Sequence, residues 1–498
     1  MAKLFPRDLD QRRFVADLDL QEGTIAFDAS AENAWFSILE RARQTVGLDV
    51  LLQHALTSAE GRNSPDLRRI AEGRGHAARP SPSLSPLHDA PATSRAPSVR
   101  EASPLRFLHL TDWHVGMTEQ GWLWPNVREA FFDDLERLHQ GLGGIDAVFF
   151  TGDLTQRGSA AEFEKLDAWL AALWKCLAEL GSAPVLVPVP GNHDLVRPPP
   201  KGPVVKALGH WHADADIRDD FWSAPEGDYR QCIGTAFAPY AAWVERQPAM
   251  KLADPRWGTL PGDVAAVIER VGLRVGVVGL NSAFLQLTGA DYDKKLDLDV
   301  RQLHAACGGD APAWLAQNDL NLLLTHHPPS WLEPTRLKGH FETEIAPPGR
   351  FALHLHGHLH EPNAHAEAVG GSRTRHRLVG PSFFGLERFE RPDGVYEERI
   401  HGYSAGRIEL IEGEGLTAGK AAARVRLWPR RLVTKLSGNR VMERAPDFDL
   451  DNDESVTFDV RCNGRAGAAS AAAESATPEH GRVGAQSETR RPSHTSKV

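Results

Sequence analysis

Short apolar runs alternate with helical stripes through the middle of the chain. Arg106–Thr111, Ala147–Thr151, Val185–Val189, Arg274–Leu280, Asn321–Thr325 and Ala352–His356 are brief β-rich stretches bounded by polar residues, and they predict strands. Between them Asn126–Gln140, Ala160–Leu180 and Val300–Ala306 repeat apolar residues at helical spacing. After Thr374 the helical pattern stops, and Arg375–Val379, Gly406–Ile411 and Ala423–Leu427 again read as strands. That order predicts an α/β sandwich finished by β-strands, over residues 105–460. The stretch Lys201–Pro261, rich in Trp, His and Asp, interrupts the alternation and reads as an insertion over the site, where loops set selectivity.

The flanks differ. Ser30 is an N-cap candidate before Trp35, Ile38, Leu39, Ala42 and Val46, and a second stripe of Leu48, Leu51, Leu52, Ala55 and Leu56 follows Gly47. With a short helix near Pro65–Ala71, residues 1–72 predict a small all-α helical bundle. Residues 73–104 turn to Pro, Ser, Ala and Arg without periodicity, which predicts a flexible linker because too little apolar surface is available to offset the entropy of ordering. The tail, 464–498, is expected to be disordered on the same grounds.

Composition narrows the class. A chain of 498 residues holds two or three domains, and 41% hydrophobic with 24% charged residues is the make-up of a soluble protein with a substantial core. The net charge of -10 disfavours a globally basic nucleic-acid binder while leaving room for a local basic groove. No apolar run is long enough to span a membrane and the start lacks an apolar signal core, so a soluble, cytoplasmic protein is expected. Cys176, Cys232, Cys307 and Cys462 are scattered without CxxC spacing, which argues against a disulfide scaffold or thiolate zinc site.

The 22 histidines change the picture, because many cluster beside Asp, Asn and Gly at the ends of the expected strands. The first strand runs into Asp112-Trp113-His114, the second into Gly152-Asp153, and the third into Gly191-Asn192-His193-Asp194. Later strands end in His326-His327 and Gly357-His358-Leu359-His360. Strand ends on one edge of an α/β sheet converge, so these loops bring Asp, Asn and His to one place. Carboxylate and amide oxygens mixed with imidazole suit Mn²⁺, Fe or Zn²⁺. Seven ligands exceed what one catalytic ion with an open position needs, whereas two ions sharing a carboxylate, at ~3.5–4 Å, use them and can clamp an in-line displacement at phosphorus. Gly152, Gly191 and Gly357 are expected where the backbone turns sharply against the ions.

D-x-H, G-D, G-N-H-D, a His after an apolar strand, and G-H-x-H, in that order from Pro104 to Trp428, resemble the calcineurin-like metallophosphoesterase family. The resemblance implies a metallophosphoesterase-type β-sandwich flanked by helices (αββα) and a centre of two divalent metal ions, with Mn foremost and Fe or Zn as alternatives. It implies that Asp112, His114, Asp153 and His360 hold the first ion and that Asp153, Asn192, His326 and His358 hold the second, with Asp153 bridging. A metal-bridging hydroxide would attack in line, His193 would serve the phosphate and the leaving-group oxygen, and Asp194 would orient the His193 imidazole. The expected function is hydrolysis of a phosphoester, foremost a nucleotide-type phosphodiester. The alternatives are a nuclease on DNA or RNA, a phosphomonoesterase or phosphoprotein phosphatase, and, last, a non-enzymatic scaffold. Residues 8–72 resemble an effector-associated adaptor domain of bacterial conflict proteins, which implies docking to a matched copy on a partner protein, with the enzyme as the recruited effector.

Other polar residues are expected to be less eventful. His327 is read as a supporting neighbour of His326, and His109, His354 and His356 as satisfied core histidines in preference to a third metal site. Trp211 to Asp216 is read either as a substrate contact or as a solvated helix face, Asn281-Ser282 as a site residue or a cap, and Arg430-Arg431 as solvated surface.

Overall fold

The computed structural model of the chain describes Ile38 and residues 102–118, 120–360, 363–385, 387–391, 394–398, 401–411 and 422–463. Apart from Ile38, the helical segment expected over 1–72 lies outside the described residues, as do most of the 73–104 linker and all of the 464–498 tail.

Two seven-stranded sheets stack face to face. The first has the order β15-β14-β13-β1-β2-β3, with β16 also paired to β14. Its strands are β1 (Leu105–Leu110), β2 (Ala147–Thr151), β3 (Val185–Val189), β13 (Gly402–Ile411), β14 (Ala422–Thr434), β15 (Arg440–Arg444) and β16 (Val456–Arg461). The second has the order β4-β5-β6-β7-β8-β10-β9. It is built from β4 (Ala253–Trp257), β5 (Val264–Arg270), β6 (Leu273–Gly279), β7 (Leu320–Leu324), β8 (Leu353–His356), β9 (Asn363–Glu367) and β10 (Arg375–Val379). A hairpin, β11 (Glu387–Arg391) with β12 (Gly394–Glu398), stands apart.

Alternation along each strand explains the four layers. Leu105, Phe107, Ala147 and Phe149 point inward and meet Val275, Val277, Leu322, Leu324 and Leu355 of the facing sheet. Their neighbours Leu108, Leu110, Val148 and Phe150 point outward. They pack there under α1 (Gln120–Leu142) and α2 (Ala160–Glu179). A Ser159–Glu162 capping box starts α2, and Phe163, Leu166, Leu170, Leu173 and Leu177 form its buried stripe. The other outer face is covered by α3 (Pro203–Leu208), α4 (Ala215–Ser223), α5 (Asp228–Ala236), α7 (Val300–Ala306) and α8 (Ala311–Ala316), while α6 (Ala238–Glu245) packs on α2. The αββα sandwich expected from the sequence is therefore the architecture found.

Three local expectations change. Helix α1 starts at Gln120 and runs through Pro125, because Gln120 is buried and its amide donates to the Trp113 carbonyl at 2.6 Å, anchoring the helix start to the site loop. The last part of the 201–261 stretch is β4, a sheet strand, and the rest folds as helices around Trp211, which packs against Phe221 and Phe284 and donates to Asp297. Asp214 in the same stretch caps α4 through the Asp216 N–H, and residues 213–216 are exposed while Trp211 is buried. Arg430, expected at the surface, is 2% exposed. Its Nε and Nη2 donate to the two oxygens of buried Asp134 at 2.9 and 2.7 Å, and the Tyr403 hydroxyl donates to the same carboxylate at 2.8 Å. Arg431 pairs with Asp447.

Candidate metal centre

Strands β1, β2 and β3 are parallel, as are β6, β7 and β8, so their carboxyl ends open on one edge of the sandwich. The loops leaving β1, β2, β3, β7 and β8 meet there. The loop after β1 is pinned to the loop after β2 by the Asp112 and His114 N–H groups, which donate to the carbonyls of Gly152 and Asp153 at 3.0 and 2.9 Å. Between them Trp113 turns the other way into the helix layer, with its ring 4.9 Å from Phe383 and 5.2 Å from Trp124. That leaves Asp112 and His114 facing the cluster.

The donor atoms crowd one another. His326 Nε2 lies 3.0 Å from Asn192 Oδ1, 3.3 Å from Asp153 Oδ2 and 3.2 Å from His358 Nδ1. Asp112 Oδ1 lies 3.3 Å from His360 Nε2 and 3.8 Å from His114 Nε2, which is 3.9 Å from Asp153 Oδ2. The structure thus brings together all seven residues read from the sequence as ligands, Asp112, His114, Asp153, Asn192, His326, His358 and His360, with His193 beside them.

The arrangement is rich in lone pairs. His326 Nδ1 donates to the Thr151 carbonyl at 2.8 Å, so in the neutral ring Nε2 presents a lone pair toward the Asn192 and Asp153 oxygens. Both nitrogens of His114 are buried without a hydrogen-bond partner among the described residues, as is Asp112 Oδ1. Burial holds the imidazoles of His114 and His358 down to about 3, so at neutral pH they offer lone pairs. For Asp153 burial opposes the charge, but His326 and then His193 hold it well below the usual carboxylate range. Burial likewise opposes charge on His326, yet Asp153, at 3.3 Å, lifts it to about 9, so this point of the cluster favours positive charge. Converging lone pairs and carboxylate oxygens fit divalent ions of the Mn, Fe or Zn kind.

Backbone strain marks the same residues. Asp112, His114, Asp153, His358 and His360 all have φ between 50° and 72°, in the left-handed region that side-chain-bearing residues avoid. Of the three glycines, only Gly152 has a left-handed φ, +92°. Gly191 and Gly357 are required for room, not for turning, since a Cβ would strike Asp153 at the first and Thr111 and Asp112 at the second.

His193 has a different support from the one the resemblance implied. Its N–H donates to Asp153 Oδ1 at 2.7 Å, and its ring Nδ1 donates to the Gln156 carbonyl at 2.9 Å. Asp194 does not reach the ring. Its carboxylate accepts the N–H groups of Leu154, Thr155 and Gly191 at 3.1, 2.9 and 2.9 Å, and so fixes the two loops to each other. A carbonyl gives no side-chain signal, which is why Gln156 is not legible in the sequence. Thr111 is equally silent there; its Oγ1 donates to Asp112 Oδ2 at 2.6 Å.

His327 has both ring nitrogens engaged, by Ser282 Oγ at 3.0 Å and Gln286 Oε1 at 2.8 Å. Asn281 caps a turn through Ala283. His109 and His354 bond the hydroxyls of Thr151 and Thr325, and no metal-ligand grouping among the described residues includes them or His356. The half-buried ring of Trp331 lies 4.0 Å from that of His358, centroid to centroid, and 5.6 Å from that of His327. No helix among the described residues is long and apolar enough to cross a membrane.

Among solved structures the chain is similar to a purple acid phosphatase from yellow lupin (Lupinus luteus) seeds, at 13% identity and TM-score 0.33 over 72% of this chain and 54% of that one. It is also similar to the sulfate thiohydrolase SoxB of Thermus thermophilus (13% identity, TM-score 0.29, 69% of this chain and 58% of that). A third is Vps29 of Chaetomium thermophilum (12%, 0.26, 71% and 96%). The chain thus spans little more than half the length of the first two. No curated protein matches it. The model of the calcineurin-like phosphoesterase family matches residues 105–362, the span from β1 to just past His360 and just over half of the sequence, and the chain belongs to that family.

Proposed function

We propose that the protein is a metal-dependent phosphoesterase that hydrolyses a phosphodiester of nucleotide type. The observation that carries the reading is the convergence of seven oxygen- and imidazole-bearing side chains, five of them held in left-handed backbone, on one space. Asp112, His114, Asp153 and His360 would hold one divalent ion and Asp153, Asn192, His326 and His358 a second, with Asp153 shared. Bound there, such ions would supply Lewis acidity toward phosphoryl oxygens and lower the pKa of a water. The chain's own residues do the rest. With Nδ1 given to the Gln156 carbonyl, His193 keeps Nε2 to exchange a proton with the leaving-group oxygen. Asp194 keeps that loop in register through its N–H donors. Trp331, beside His358, offers a flat apolar wall to a second ester substituent, which favours a diester with a planar group over a monoester. Residues 1–72 would recruit the enzyme to a partner carrying a matched domain.

The test is turnover of bis-p-nitrophenyl phosphate against p-nitrophenyl phosphate by the full chain with Mn²⁺, Fe²⁺ or Zn²⁺. Diester hydrolysis is expected, with Asp153→Ala losing metal and His193→Ala keeping metal while kcat falls by about 10²–10⁴. Preference for the monoester would move the reading to a phosphomonoesterase. Two bound ions without turnover of either ester would leave a scaffold.

A further inference from the structure

A cavity of about 280 Å³ opens at the opposite end of the second sheet from the metal centre. Strand β7 starts in its wall, at Leu320 and Asn321, and leads to His326; at about 3.3 Å per residue the two sites lie about 16 Å apart. Arg350 ahead of β8, Arg373 in the turn between β9 and β10, and Arg461 at the end of β16 all line the cavity, with the hydroxyl residues Ser372 and Thr374 between them.

The charge balance of this cavity is anomalous in a chain of net charge -10. Its one carboxylate, Asp459, is taken from outside by Arg424, whose Nε and Nη2 donate to it at 2.9 and 3.1 Å. None of the three lining arginines forms an ion pair within 4 Å among the described residues. Arg350 and Arg373 have neighbours that place them. Arg350 donates to the Ile345 carbonyl at 3.2 Å. A Cβ at Gly349, with φ +84°, would meet Arg373 Nη1 at 3.2 Å, so glycine there lets the Arg373 chain lie against the loop that carries Arg350. Three arginines therefore line one cavity whose single carboxylate already holds a bidentate guanidinium, and an anion entering it would meet a net positive wall.

We propose that this cavity binds a compact oligoanion with clustered phosphate groups, taken by Arg350, Arg373 and Arg461 and by the Ser372 and Thr374 hydroxyls. Guanidinium forks match phosphate oxygens, and the cavity's volume suits a small polyphosphorylated head better than an extended nucleic-acid strand. The site is separate from the metal centre and does not depend on the activity proposed for it.

The test is isothermal titration of the full chain with sucrose octasulfate, a clustered oligoanion that carries no phosphoester bond. One saturable site is expected. Arg373→Glu with Arg461→Glu, both at exposed positions, should weaken binding by about 100-fold, at about tenfold for each charge-assisted hydrogen bond removed, and Arg373→Gln alone by about tenfold. His326→Ala should leave the affinity unchanged. Absence of binding up to about 1 mM, equal affinity in the double variant, or loss in His326→Ala would overturn the proposal. So would a single-stranded oligonucleotide that binds tighter than the octasulfate through the same arginines, since that would make the face a nucleic-acid surface.

Discussion

Gly357→Ala is a one-carbon test of the metal centre. Gly357 is not in the left-handed region, so alanine can adopt its backbone; what alanine lacks is space. Its Cβ would sit 2.5 Å from Asp112 Oδ2 and 2.9 Å from Thr111 Cβ, and closer still to Thr111 Oγ1. An ordinary contact begins at 3.4 Å, so the Asp112 carboxylate would have to retreat by about 0.9 Å, breaking into the hydrogen bonds it accepts from Thr111 Oγ1 at 2.6 Å and the His358 N–H at 3.1 Å. Both ends of one ligand group, Asp112 and the loop bearing His358 and His360, would move together. The expected outcome is loss of at least one equivalent of metal and a fall in phosphodiester turnover of about 10² or more, the cost of misplacing a catalytic constellation by about 1 Å. Overpacking should lower the unfolding free energy by only about 1–3 kcal/mol, so the variant folds. Elemental analysis, turnover and urea unfolding read these three quantities separately. Gly234→Ala is the control: it lies within α5 with nothing near its Cβ, and should raise stability by about 0.5–1 kcal/mol without touching metal content. Gly357→Ala protein with a full metal complement and turnover within about threefold of wild type would refute the reasoning, because the ligand loops would then tolerate a displacement of this size.

Two further outcomes are expected. Asp134→Ala leaves the Arg430 guanidinium buried beside Tyr403 without its bidentate partner and should cost about 3–5 kcal/mol in denaturant unfolding, whereas Asp134→Leu with Arg430→Met should recover most of that loss. Burial pushes Asp263 from 3.8 up to about 7, against the Asn281 and Leu260 N–H groups and the Gln302 amide that donate to it. Because folding raises this pKa, its favourable contribution is complete below about pH 4 and is lost as the pH rises through about 7. The unfolding free energy of the wild type relative to Asp263→Asn should therefore decline across that window, by at most about 4 kcal/mol, and a flat difference would show that Asp263 titrates alike in both states.

Sequence patterning recovers the strands that carry the centre because they are short, apolar and bounded by ligand clusters: β2 and β3 are legible to the residue, and β1, β7 and β8 to within one. Strands away from the centre are less legible. In β5 the run Val-Ala-Ala-Val-Ile is apolar at every position and has no period to distinguish strand from helix. In β14 the apolar pattern stops before Pro429, although the strand runs on to Thr434. The proline is tolerated because it stands where the outer partner changes from β16, paired as far as Leu427, to β15, paired from Arg430. The burial of Arg430 is illegible for another reason: its partner Asp134 lies 296 residues away, and neither has a local pattern that announces the other.

The centre itself shows what a motif does not say about cost. The spacing of D-x-H, G-D and G-H-x-H names the donors, but not that five of them occupy left-handed backbone where glycine or asparagine would be far less strained. Such positions cost about 1–3 kcal/mol each and persist only where the surroundings over-determine them. Here the surroundings are visible: Asp112 is fixed by Thr111, Ser382 and Gly152, and Asp153 by the His193 N–H. Among the described residues only Lys294 and Glu454 share this conformation without belonging to the cluster. A fold that needed only turns at these loops would be less strained with glycine at these positions. Retaining Asp and His there makes sense only if their oxygen and nitrogen atoms are needed at that point in space, and this argues for metal coordination independently of any likeness to other proteins.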